Sequence, residues 1–192
     1  DIDTDGAGDI VYSSGTLRAD TINLQTTGTS SGQVGTSGSP VVTAGTTSLS
    51  MGQGNSLENG YISHTGDLTI AGISGDGAST VLEIAATGAV DDTGAIVSDS
   101  LDATGDGGIT LNNTHTVSTF AATNTTGGNI VFTNDTTLSL TGIIQVAGAN
   151  VDINNTGQVT LTGNIDDGAG TPGPINRIDV DTGGTAGIVD NG

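Results

Sequence analysis

The chain has 192 residues, no Cys, 33 Gly and a formal net charge of −19, and its only strong cations are Arg18 and Arg177. So few cations exclude a clamp on a nucleic-acid backbone, where affinity comes mostly from Lys and Arg, and argue against binding an anionic membrane surface. The lack of Cys excludes disulfide and thiolate chemistry, and the sequence holds neither a signal peptide nor an apolar run of the roughly 18 residues a spanning helix needs, so no membrane insertion is expected.

The chain opens Asp1-Ile2-Asp3-Thr4-Asp5-Gly6-Ala7-Gly8-Asp9. Alternating carboxylates before a Gly turn match the start of a D-x-D-x-D-G calcium loop, so Asp1, Asp3, Asp5 and Asp9 are the candidate ligands for a hard cation. Tyr12 stands where such a loop needs its bidentate acid, and the flanking helices are missing. An acidic turn is the plain alternative. Without an initiator Met, the chain is expected to be a fragment, a processed product or a filament subunit. Residues 1–58 form an irregular N-terminal part, with strands expected at 10–12, 21–24, 41–42 and 48–51 separated by Thr, Ser and Gly. No apolar stripe at helical spacing occurs anywhere.

Residues 59–192 are more regular. Ile109, Ile130 and Val151 recur at steps of 21, and Val117, Leu138 and Val159 follow each of them eight residues later. Asn113, Asn134 and Asn155 keep the same step. Apolar residues alternate with small or polar ones within each unit, which is strand periodicity. A period near 21 built from short alternating strands is the pattern of a β-solenoid, whose coils bury their apolar faces by stacking. Residues 60–72 align without gaps onto 151–163, with Thr65-Gly66 and Thr156-Gly157 as turns. That alignment sets His64 against Asn155, as an exposed residue of an Asn ladder. The step from Gly60 to Leu82 is 22, whereas those from Leu82 to Ile109 and from Val151 to Ile178 are 27. The extra residues are read as loops at 94–108 and 166–176. Eight or nine coils of about 21–27 residues, stacked at about 4.8 Å, make a rod of roughly 40 Å. Leu111, Phe132, Leu138, Ile153 and Val159 are expected to point inward and stack in register. Residues 2–5 also echo 178–181, which suggests a long internal repeat.

Chemistry-bearing residues are few. His64 and His115 are the only imidazoles and Glu58 and Glu83 the only glutamates. No His has a Ser–acid partner at readable spacing. The Gly-rich stretches near Gly105 and Gly168 lack the Lys and the helix of a phosphate loop, and the Asn-x-Thr triplets are what an Asn/Thr-rich chain contains by chance. No catalytic activity is expected.

The segment 35–43, followed by Gly60-Tyr61-Ile62-Ser63, Thr65-Gly66-Asp67-Leu68-Thr69-Ile70, Gly108-Ile109-Thr110-Leu111-Asn112-Asn113 and Gly127-Gly128-Asn129-Ile130-Val131-Phe132-Thr133, resembles a unit of filamentous-haemagglutinin-like bacterial exoproteins and their β-strand-repeat relatives. The resemblance covers most of residues 17–165. It implies an all-β, right-handed parallel β-helix, export to the bacterial cell surface, and a role as adhesin, filament or biofilm matrix. The partners it implies are further copies of the rod, end to end or side by side, and glycans of host or neighbouring cells. The secretion domain of that family is not recognisable here. Two other readings stay open: a carbohydrate-active β-helix enzyme with paired carboxylates, and a calcium-dependent matrix protein.

Overall fold

The computed structural model describes residues 1–5, 8–27, 32–45, 47–52, 57–76, 79–146, 148–168, 175–183 and 187–190. Among these the chain is all β, with 18 strands and no helix. The strands are β1 (Ile2–Asp5), β2 (Thr21–Thr27), β3 (Gly32–Val34), β4 (Val41–Ala44), β5 (Thr47–Met51) and β6 (Leu57–Thr65). Then follow β7 (Leu68–Ser74), β8 (Val81–Ala86), β9 (Val90–Asp92), β10 (Ile96–Gly105), β11 (Ile109–Asn124) and β12 (Ile130–Asn134). The last are β13 (Leu138–Gln145), β14 (Asn150–Asn155), β15 (Val159–Leu161), β16 (Ile165–Asp166), β17 (Arg177–Thr182) and β18 (Ile188–Asp190). All their pairings are parallel and link each strand to the one a coil later, so the fold is a β-solenoid.

Inward side chains stack in columns along the axis. One column runs Ile22, Leu49, Ile70, Asp92, Leu111, Phe132, Ile153 and Val180. A second runs Ile2, Leu24, Met51, Ile73, Ile96, His115, Asn134, Asn155 and Thr182. At about 4.8 Å per rung, that column is roughly 40 Å long. Leu111, Phe132, Leu138, Ile153 and Val159 are all fully buried, as the spacing predicts. The 21-residue steps from Ile109 to Ile130 and Val151, and the 27-residue step to Ile178, are observed pairings.

Four expectations need correction. Residues 94–108 are not a loop, because β10 fills most of them and buries Ile96, Ser98, Leu101 and Ala103. Leu82 therefore pairs with Leu101, one rung of 19 residues, and Ile109 pairs with Val90 instead. Small and polar residues turned inward gave β10 the composition of a loop. The second correction concerns the ladder. A two-residue bulge between Leu111 and His115 removes Asn113 from the Asn column and puts His115 opposite Asn134. Third, His64 is buried and stands in another column, between Thr43 and Ala86. Fourth, Ile2 and Ile178 lie in different columns, so the resemblance of the two ends is not one of register. Of the expected loop at 166–176, Asp166 belongs to β16 and residues 169–174 lie outside the described residues.

Glycine is required where adjacent coils press backbone on backbone. A Cβ on Gly94 would run into the Ala71 carbonyl oxygen, and one on Gly163 into that of Thr141. Both glycines donate their N–H to the coil before, to Ile70 and Leu140 respectively.

Candidate functional site

Much of the polar side-chain content inside the rod is gathered in two stacks at its corners. One corner stacks His115, Asn134 and Asn155. The Asn134 amide donates to Asn155 Oδ1 at 3.0 Å and to the Val117 carbonyl at 3.1 Å, while its Oδ1 accepts the Val117 N–H at 2.8 Å. The other corner stacks Thr43, His64, Ala86, Gly105, Asn124 and Gln145. There Asn124 donates to Gln145 Oε1 at 2.7 Å, and Gln145 donates to the Asn150 carbonyl at 2.8 Å. His64 Nε2 faces the carbonyls of Gly45 at 2.8 Å and Asp67 at 3.1 Å, so this nitrogen carries the proton. Its Nδ1 then accepts the Thr43 hydroxyl at 2.8 Å. These groups meet the buried backbone that turns at each corner.

His115 and Asp92 form a second buried constellation. Asp92 occupies an inward column otherwise filled by aliphatic residues and Phe132, and its side chain and that of His115 are both fully shielded. The carboxylate accepts the N–H groups of the bulge, Asn112 at 2.9 Å and Asn113 at 3.1 Å. His115 Nδ1 accepts the Ile96 N–H at 3.0 Å, which leaves the proton of the neutral ring on Nε2, 3.5 Å from Asp92 Oδ2. Burial pushes the imidazole below its ordinary value, against the charge of Asp92, the Leu111 backbone and the charge of Asp135. The ring stacks on Phe132 at 5.5 Å, and Phe132 stacks on Phe120 at 4.0 Å. A histidine and an acid this close resemble part of a catalytic set, but no substrate reaches side chains enclosed in the core.

One open concavity, among several on the described surface, lies on the outer face of β6, β8 and β10. It measures about 250 Å³ and is lined by Tyr61, Ser63, Glu83, Ala85, Asp102 and Thr104, with Ser37 and Pro40 beside it. Register builds it: Tyr61 pairs with Glu83 and Glu83 with Asp102, while Ser63 pairs with Ala85 and Ala85 with Thr104. The methyl group of Ala85 leaves the floor low. The turn in which Thr36 and Ser39 exchange backbone hydrogen bonds carries Ser37. Burial, then the charges of Glu83 and Glu58, raise the Tyr61 hydroxyl above its ordinary value, and burial raises the Asp102 carboxyl. The 22-residue step from Tyr61 to Glu83 was legible; the 19-residue step to Asp102 was hidden by reading 94–108 as a loop.

The candidate calcium ligands fall on the first rung. Ile2–Asp5 is a strand paired with β2, with Asp3 opposite Gln25 and Asp5 opposite Thr27. Asp1 and Asp3 are exposed, and the Asp9 carboxylate accepts the Gln33 N–H at 2.9 Å. Gly6, Ala7 and the Asp5 side chain lie outside what is described. Among the described residues no group of three or more His, Asp or Glu side chains is gathered into a metal-ligating set. No protein-family model, curated protein or solved structure matches the chain.

Proposed function

We propose that the chain is a non-enzymatic structural rod, a segment of an extracellular bacterial surface adhesin, filament or biofilm matrix. The observation that carries this reading is the continuity of the inward columns from the first rung to the last. A fold of this kind extends by adding coils and supplies length and a repeated outer surface. Both imidazoles are spent on holding corners, which supports a role without catalysis. Apolar side chains stand exposed at the two ends, Ile2 and Val11 at one and Ile178, Ile188 and Val189 at the other. They suit contact with a further coil, of the same chain or of a second copy, and surface glycans are the other partners this reading implies. Electron microscopy and light scattering of the purified chain test it. Rods of roughly 40 Å, joining end to end as concentration rises, are expected from the rung spacing. Compact particles that stay monomeric at every concentration would refute it.

A further inference from the structure

The concavity over β6, β8 and β10 has a chemistry of its own. Its lining combines the Tyr61 ring, the carboxylates of Glu83 and Asp102 and the hydroxyls of Ser37, Ser63 and Thr104 with an apolar floor that includes Ala85. Glu83 and Asp102 sit on adjacent rungs, about 4.8 Å apart along the axis. Among the described residues neither has a cation or a hydrogen-bond donor against it: the ion pairs there are His115 with Asp92 and Arg177 with Asp152 and Asp179. Arg177 belongs to β17, several coils away, and Arg18 precedes β2. Two like charges held side by side without a counter-ion raise each other's cost, and a positive group placed between them removes it. Beside them, the Tyr61 hydroxyl is raised by burial and then by the charges of Glu83 and Glu58, so negative charge reaches the ring's edge of the groove.

We propose that this groove binds one unit of an oligosaccharide carrying free amino groups, the ammonium between Glu83 and Asp102 and the sugar face on Tyr61. Each part of the ligand has its counterpart. The ammonium takes the two carboxylates, both acceptors when ionised. The apolar face of the ring, made more attractive by the positive charge, takes the aromatic ring. Ser37, Ser63 and Thr104 exchange hydrogen bonds with sugar hydroxyls. The concavity opens to solvent, and its volume of about 250 Å³ admits one unit rather than a whole chain. A neutral acetylated sugar would leave the carboxylate pair uncompensated, so the site discriminates by the charge on nitrogen.

This inference extends the scaffold reading to a ligand, and its test is separable from it. Calorimetric titration of the full chain with a glucosamine hexamer, its fully N-acetylated counterpart and spermidine decides the matter. The glucosamine hexamer should bind at least tenfold more tightly than either comparison. Glu83→Gln with Asp102→Asn, and separately Tyr61→Ala, should each weaken it at least tenfold, with rods unchanged by microscopy. Asp20→Asn with Asp91→Asn, which removes the same charge elsewhere, should leave binding within twofold. Equal affinity for the acetylated sugar, or no binding, overturns the proposal. So does spermidine as strong as the sugar, or an equal loss in the control, since either means attraction to the overall negative field. Compact particles in the microscope would instead count against the scaffold reading alone.

Discussion

His115 occupies the place where an aliphatic stack meets an asparagine ladder, with Ile96 on one side and Asn134 on the other. Its burial has a calculable sign. The folded imidazole binds a proton less readily than the unfolded one, so the folded state is favoured above the unfolded value near 6.5 and loses that advantage as pH falls below it. The denaturation midpoint should drop between pH 7 and pH 5, and His115→Asn should flatten that slope. An unchanged slope in the variant would assign acid sensitivity to other groups. Asn134 is a second decisive residue, since it satisfies both backbone groups of Val117 and reaches Asn155. Asn134→Ala should cost about 1–3 kcal/mol for each buried partner left unpaired, read by urea denaturation. Neither role was legible in the sequence. The Asn step was visible, but its first member was misplaced, because a bulge of two residues does not announce itself in Asn112-Asn113-Thr114.

At the scale of the strand and its turn, two features govern whether coils stack. One is the aromatic pair: Phe120 and Phe132 face each other across the core from different columns. Phe132→Asp buries an unpaired charge among them, a penalty of several kcal/mol, roughly, and should unfold the middle coils in a thermal melt. The other is the close approach at Gly94 and Gly163. Gly163→Ala should cost about 1–3 kcal/mol through forced separation of two coils, seen as a lower melting temperature with the circular-dichroism spectrum retained. The apolar alternation made the strands at 109–111, 130–132 and 151–153 legible, because large side chains at every second position have one physical reading. β10 was not legible. Inside a narrow rod, Ser98 and Ala103 fill an inward position as well as a branched residue does, so burial no longer tracks hydrophobicity.

For the molecule as a whole, the charge of −19 is spread over rungs 4.8 Å or so apart, where like charges repel along the axis. Salt at about 0.15 M screens beyond roughly 8 Å, so melting temperature and particle length should both rise between low and physiological salt. EDTA at fixed ionic strength separates a specific cation from general screening: a loss of stability reversed by calcium, and abolished in Asp1→Asn with Asp9→Asn, would locate a site on the first rung. No effect of chelator would leave screening as the whole of it.

The stacking of one turn on the next has a mechanical consequence. Each strand is held by neighbours in the coils before and after, while the chain winds through every coil in turn. A load applied to the two ends must therefore peel the terminal turn before it reaches the next. With 21 residues per turn in the centre of the rod, and about 3.3–3.6 Å per extended residue, each turn released lengthens the molecule by roughly 65 Å. The coil holding Phe120 and Phe132 should yield last. Pulled in a single-molecule experiment, the chain should behave as a ratcheted tether, giving way one turn at a time, each step set by the residues in that turn, while the rest still bears tension.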